Sequence, residues 1–419
     1  MSATPAAQTL VDARRVMDRC DALARVSASA TALQRFHLTP EHDRVNQLAA
    51  RWMVEAGLRT WRDQAGNQWG RLEGREPGLP ALVLGSHLDT VSDAGRYDGM
   101  LGVLSAVEVV RRIRSRGVAL PFALEVVAFG DEEGARFGTA LLGSFAVAGL
   151  WREEFWSRTD EAGVSVAQAH ESFGLRPERI AEAARRPEEL VGYLELHIEQ
   201  GPYLERADRP LGLVTSIAGA RRFTGRVVGE ARHAGGTPYA SRRDALVGAA
   251  DIVLAAERIA VETGGIATVG RLQAYPGAVN VVPGLVEFTL DTRAELDSTR
   301  DDLLARLLEH GRQFCAERDM TFELTETHRA DASFFAGDLM ESVQTGIGRA
   351  TGDTDPLRLW SRAGHDAMAL SAVTDVGMLF VRCHDGISHH PGESVLLEDV
   401  ARGLDAFETT VLEVARRRS

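Results

Sequence analysis

The run Ala81-Leu82-Val83-Leu84, closed by Pro80 before it and Gly85 after it, constrains this chain more than any other feature. It is short, continuously apolar and bounded by turn residues, which predicts a buried strand. Polar residues follow at once: His87, Asp89, a Gly-containing loop, and Asp98 in front of a helical pattern of Leu101, Leu104, Val107 and Val110. The arrangement recurs. A strand predicted over 122–129 runs into Asp131-Glu132-Glu133-Gly134, one over 192–196 into His197, and one over 377–381 into the segment Gly386–Glu393. With helices predicted over 102–115 and 139–148, strands and helices alternate, which predicts an α/β sheet covered by helices on both faces. Open α/β sheets carry their sites at the carboxyl ends of strands, and each of these polar clusters falls at such an end.

Upstream, residues 8–36 and 40–57 read as helices, the second opening on Pro40-Glu41 and stopping at Gly57. Residues 151–190 read as charged and helical, broken at Pro177 and Pro187. The middle of the chain has another rhythm. Strands over 223–228, 266–272, 286–292 and 321–325 and helices over 242–257 and 299–315 give β-α-β-β-α-β, the split pattern of ferredoxin-like domains. The expected division is therefore a larger domain from 1–213 and 329–419, interrupted by a smaller one at 214–328.

At 419 residues the chain is long enough for two domains and a sizeable core. Its net charge of -13, with acidic and basic residues well mixed, argues against a nucleic-acid partner, which requires a basic face. Cys20, Cys315 and Cys383 are sparse and odd in number, so they predict neither a disulfide framework nor a thiolate metal site. The N-terminus lacks the basic-then-apolar order of a signal peptide, and no run of roughly 18 apolar residues spans a membrane. A cytoplasmic protein is the expectation.

His87 and Asp89, two apart on an extended backbone, share a face, and a carboxylate beside an imidazole fixes its tautomer and frees the other nitrogen for a metal. Adjacent Glu132 and Glu133 repel one another unless a cation compensates; one can bind metal while the other takes a proton from water. Together His87, Asp98, Glu133, His197 and His389 are nitrogen and oxygen donors without sulfur, a set suited to zinc, manganese or cobalt. Five donors exceed one tetrahedral zinc with an open position. They fit two cations that share Asp98 and together acidify a water and polarise a carbonyl.

These residues belong to longer motifs: Gly85-Ser86-His87-Leu88-Asp89-Thr90-Val91, Gly95-Arg96-Tyr97-Asp98-Gly99, Glu132-Glu133-Gly134-Ala135-Arg136-Phe137-Gly138, Leu196-His197-Ile198-Glu199-Gln200-Gly201, Asn280-Val281-Val282-Pro283-Gly284, Ala363-Gly364-His365-Asp366-Ala367 and Ser388-His389-His390-Pro391. In these, taken in order over nearly its whole length, the chain resembles the dinuclear metal amidohydrolases of the M20 peptidase superfamily. Within that superfamily it is similar to the hydantoinase/carbamoylase branch of N-carbamoyl-L-amino acid hydrolases, β-ureidopropionases and allantoate amidohydrolases. The resemblance implies a larger α/β domain with a central mixed sheet and an inserted ferredoxin-like lid and dimerisation domain. It implies two divalent cations, zinc foremost, with manganese, cobalt or nickel as alternatives. His87, Asp98 and His197 would hold one and Asp98, Glu133 and His389 the other, with His389 chosen over His390. Glu132 would be the general base and Asp89 the orienter of His87. His233 would stabilise the oxyanion from the partner subunit of a homodimer. Asn280 and Arg293 would bind the substrate carboxylate, Gln200 the ureido group, and the loop of Arg362 and Gly364 would lie against the substrate.

Two positions depart from the family's pattern: Gly236 where threonine is usual, and Arg362 where glycine is usual. The second bears on which substrate fits. The expected reaction is hydrolysis of a ureido or carbamoyl C–N bond in allantoate or an N-carbamoyl-L-amino acid, with release of ammonia. A metallo-aminopeptidase or deacylase is the alternative within the superfamily, and a non-catalytic binding protein the alternative outside it.

Overall fold

The computed structural model describes residues 5–335 and 337–418. By internal contacts the chain divides into two compact units. Met1–Thr215, Phe335–Leu359 and Gly364–Ser419 form the first, and Ser216–Phe334 with Trp360–Ala363 the second. The second unit reaches past residue 328 because its last long strand is Thr321–Ala330 and not 321–325, extended across an irregularity between Glu326 and His328.

The sheet of the first unit has the strand order Arg59–Arg62, Gln68–Leu72, Ala123–Phe129, Ala81–His87, Leu190–Ile198, Val376–Val381, Leu211–Ile217. The middle strands, Ala123–Phe129 to Val376–Val381, are mutually parallel, while the outer pairings are antiparallel. The sheet is therefore mixed. Every residue of those middle strands is buried, which is why they read as mainly apolar runs, interrupted by Glu125 in one and by Glu195 and His197 in another. Helix Met100–Ser115 packs on Ala81–His87 and Leu190–Ile198, and helices Gly337–Thr351 and Leu397–Arg418 pack on Val376–Val381. Because the middle strands point one way, their carboxyl ends share an edge: His87 is in register with Phe129, and His197 with Phe380.

Several expectations need correction. The helix expected over 8–36 is Pro5–Ala24 only. Beyond it, Ser27 Oγ accepts from Ser29 and Gln34 N–H, and Ser29 Oγ accepts from Thr31 and Ala32 N–H, so hydroxyls take the backbone donors a helix needs. Fully buried Arg35 then closes the helix end, donating to the carbonyls of Leu23 (2.9 Å), Val26 (3.0 Å) and Leu88 (2.7 Å). The helix expected over 139–148 is Leu142–Val147. The segment 151–190 holds only short pieces: Glu153–Ser157, Val166–Ser172, Pro177–Ala183 and Pro187–Glu189. Helix Pro40–Glu55 starts as expected, with Thr39 capping His42 N–H and Pro40 in the first turn.

In the second unit an antiparallel sheet has the order Leu272–Tyr275, Leu285–Ala294, Gly219–Val228, Thr321–Ala330. The strand expected over 266–272 is two pieces, Ile266–Thr268 and Leu272–Tyr275, both paired with Leu285–Ala294. Helices Ala245–Thr263 and Asp297–Ala316 close a core of Phe223, Val227, Ile252, Val286, Phe288 and Leu307. Element order and strand order together are those of the split β-α-β pattern. Among the described residues no helix is long and apolar enough to cross a membrane.

Candidate metal centre

The shared edge of the first unit gathers the polar clusters. His87 is the last residue of its strand and His197 the last but one of its own. Their Nε2 atoms lie 3.3 Å and 3.2 Å from the same oxygen, Asp98 Oδ1. The other oxygen, Asp98 Oδ2, lies 3.4 Å from His389 Nε2, which is 3.3 Å from Glu133 Oε1. Glu132 Oε2 stands 3.9 Å from His87 Nε2. Two donor groups are thus formed, His87 with Asp98 and His197, and Asp98 with Glu133 and His389, joined by Asp98.

The hydrogen bonds behind these atoms fit a cation. Nδ1 of His87 faces the carbonyl of Asp89 at 3.1 Å, and Nδ1 of His197 faces the carbonyl of Ile198 at 2.9 Å. A carbonyl only accepts, so each Nδ1 carries the proton and each Nε2 turns a lone pair inward. His197 Nε2 also accepts from Gly99 N–H at 3.2 Å. In that neutral form the Nε2 lone pairs of His87 and His197 face Asp98 Oδ1 at 3.3 Å and 3.2 Å, an arrangement that a divalent cation between them satisfies.

The electrostatics follow from the same geometry. Burial works to raise Asp98, but the bonds from His197, His389 and His87 outweigh it and hold the carboxyl well below its usual range. Burial pushes Glu132 well above the carboxylate range; Glu133, Asp366 and Asp89 add to this while His87 opposes it. Without cations the imidazoles take up protons in their place: Asp98 and Glu133 raise His389 to about 11. Raised proton affinity at Glu132 suits a group that accepts a proton and returns it.

Asp89 faces His87 and does more besides. Its Oδ1 is 3.6 Å from His87 Nδ1, while its two oxygens accept from Glu132 N–H (3.1 Å) and Glu133 N–H (3.2 Å). It therefore ties the His87 strand end to the glutamate loop, and its carbonyl faces the imidazole. Gln200, at φ +56°, donates to Asp98 Oδ2 at 2.7 Å. His389, at φ +55°, turns inward, whereas His390 Nδ1 accepts from Gly392 N–H. Gly364 is exposed, and a Cβ there would meet only Met368 Sδ at 3.8 Å.

The other expected site residues lie in the second unit. His233 pairs with Val281, and Asn280 O accepts from Ala234 N–H at 2.9 Å, so both exposed residues sit on one small two-stranded antiparallel ladder. His233 Nδ1 accepts from Gly236 N–H. Arg293 is held by Asp291 through Nε and Nη2 and donates through Nη1 to the carbonyl of Arg362 at 2.7 Å. The guanidinium of Arg362 lies over the Trp360 ring, 4.1 Å from its centroid.

Buried neighbours that the motifs did not single out complete the first unit's centre. Glu195 accepts from Ser86 (2.7 Å) and Tyr193 (3.1 Å) beneath the histidines, and the His365 ring packs against that of His197 with centroids 4.6 Å apart. Ser388 and Glu393 link the His389 loop to Asp98. Their only signal in the sequence was membership of the segment around His389.

With the geometry in place, comparison with known proteins is decisive. Residues 83–413 match the pattern of the peptidase family M20/M25/M40. The chain belongs to this family. Metal dependence is a property of M20 proteins, and the donor groups above supply what it needs. Among relatives, the N-carbamoyl-L-amino acid amidohydrolase of Geobacillus stearothermophilus is 39% identical, covering 97% of this chain and 100% of its own. The allantoate deiminase of Arabidopsis thaliana is also 39% identical, covering 93% and 80%. Among solved M20 relatives, an amidase of the hydantoinase/carbamoylase family from Burkholderia multivorans superposes with a TM-score of 0.87 at 32% identity, covering 96% and 98%.

Proposed function

We propose that this protein is a homodimeric hydrolase that holds two divalent cations and cleaves the ureido or carbamoyl C–N bond of a small carboxylate. The observation that carries this reading is the convergence of His87, Asp98, Glu133, His197 and His389 beside Glu132, in a chain whose relatives are named for that chemistry. His87, Asp98 and His197 hold one cation and Asp98, Glu133 and His389 the other. Nitrogen and oxygen donors favour zinc, with manganese, cobalt or nickel as alternatives. Bound cations supply an acidified water and a polarised carbonyl. Glu132 takes the proton from the attacking water and delivers it to the departing nitrogen. For a carbamoyl substrate one water is consumed, and the products are ammonia, carbon dioxide and the free amine. Gln200 contacts the ureido group, Asn280 and Arg293 the carboxylate, and the Arg362–Gly364 loop borders the substrate.

The second unit supports a dimeric site, with the roles of lid and dimerisation domain. His233 and Asn280 share the small ladder whose second strand, Val281–Val282, precedes Leu285, whereas Arg293 lies eight residues past Leu285 on the Leu285–Ala294 strand. At the rise of an extended strand that is about 26 Å. One small substrate cannot span it, so Arg293 serves its own chain's site while His233 and Asn280 of the partner subunit complete it. There His233 donates to the oxyanion. Helix Ala245–Thr263 leaves Val247, Leu254 and Val261, seven residues apart, 49%, 71% and 78% exposed, an apolar stripe fit to meet a second copy. The three cysteines are free and buried, in keeping with a reducing cytoplasm.

The test is ammonia release from allantoate and from a panel of N-carbamoyl-L-amino acids, assayed after loading with zinc or manganese. Turnover of at least one of these substrates is expected. Inactivity on all of them, or dipeptide cleavage in their place, contradicts the reading.

A further inference from the structure

Glu393 is 3% exposed and lies beside the metal-centre loops, yet its oxygens turn to backbone donors and not to the imidazoles. Oε1 accepts from Tyr97 N–H at 2.7 Å and from Asp98 N–H at 3.1 Å. Oε2 lies 3.1 Å from the Ser388 hydroxyl, which also meets Asp98 Oδ2 at 2.5 Å. Ser388 directly precedes His389. One carboxylate therefore grips the backbone of Tyr97 and Asp98 and, at Ser388, whose single hydroxyl proton goes to Glu393 or to Asp98, meets the start of the His389 loop, joining segments nearly 300 residues apart in sequence. The chain makes room for it: a Cβ on Gly95 would fall 2.2–2.4 Å from the Glu393 carboxyl atoms. Gly95 has an ordinary backbone conformation, so space and not φ accounts for the glycine.

We propose that Glu393 is a positioning residue for the metal centre, setting Asp98 and His389 at the separation at which both reach the second cation. This rests on the reading of Asp98 as the shared ligand. Groups that orient metal ligands change affinity by about 10- to 100-fold when removed. A purely structural clamp would lower stability and leave affinity in the folded protein unchanged.

The experiment titrates Zn2+ into metal-free, full-length protein against a competing chelator, after circular dichroism has established the folded fraction. Wild type, E393A, E393Q, G95A and D98A are compared. E393A should bind zinc about 10- to 100-fold more weakly. E393Q should recover most of the affinity, because its amide oxygen still accepts from both N–H groups. G95A should weaken binding with Glu393 intact, because the added methyl displaces the carboxylate. If E393A does not fold, E393Q and G95A decide: wild-type affinity in G95A overturns the proposal. Wild-type affinity in folded E393A, with loss in D98A, overturns it while leaving the shared ligand standing. Wild-type affinity in D98A overturns the shared-ligand reading and the proposal together.

Discussion

Replacing Glu132 by glutamine removes its capacity to carry a proton and almost nothing of its shape. If Glu132 is the base and not a ligand, E132Q should lower kcat by about 10^2- to 10^4-fold with the metal content of the protein unchanged, read by elemental analysis beside the ammonia assay. Loss of metal would make Glu132 a ligand. The neighbouring histidines separate in the same way. His389 Nε2 faces Asp98 and Glu133 while His390 bonds Gly392, so H389A should lose cation and activity, and H390A should keep both within a few-fold. The sequence carried the identity of these side chains well, because ligation demands particular residue types. It carried their partners less fully: the carboxylate of Asp89, 3.6 Å from His87 Nδ1, also accepts from the Glu132 and Glu133 backbone. Such bonds depend on where a loop passes, which no local pattern of residue types records.

Among the elements, the buried parallel strands were legible because all their residues are inside, so a mainly apolar run between turn residues marks them. Helix Leu397–Arg418 was not. Its buried face mixes Val400, Leu404, Phe407 and Val411 with Glu408 and Glu413. Those carboxylates are paired, Glu408 by Arg112 and Arg116 from outside the helix and Glu413 by Arg416 and Arg417 one turn on, so charged letters break the apolar stripe. A second buried polar group has a measurable consequence. His37, His42 and His170 cluster behind the glutamate loop, with His37 centroids 5.1 Å and 6.3 Å from the other two, and His37 lies against Gly130 at the start of that loop. Burial lowers His42 to about 3, with Arg62 and Arg35 adding, and lowers His170 to about 4 against a bond to Val166 O. Folding therefore depresses both pKa values. Between pH 6.5 and about 4 the unfolded chain binds more protons than the folded one. The stabilisation is full above pH 6.5 and is lost as pH falls through that window, by about 1.4 kcal/mol per pH unit for each histidine. In urea unfolding, H170F should flatten the decline by about that slope; parallel profiles for H170F and wild type would remove His170 from the account.

For the whole molecule, the proposed division of Arg293 from His233 and Asn280 makes a prediction about mixtures. H233A and R293A homodimers should each be nearly inactive. Unfolded together and refolded, they should regain about a quarter of wild-type activity, since half the dimers are mixed and one site in each of those is complete. H233A mixed with N280A should regain none, because the proposed assignment puts both residues in the partner's site. Equal recovery in the two mixtures would contradict the assignment. This level was the least legible in the sequence. The motifs name residues, but they carry no strand register and no assembly, on which the sharing of a site depends.

The central claim is that the five donors hold a pair of cations without which Glu132 has no acidic water to deprotonate. Chelator-treated protein titrated with zinc or manganese, with bound metal and ammonia release followed in the same samples, tests it most directly. Activity should be absent in the stripped protein and should reach its plateau at two cations per chain. Full activity in a preparation shown by elemental analysis to be free of metal would contradict it.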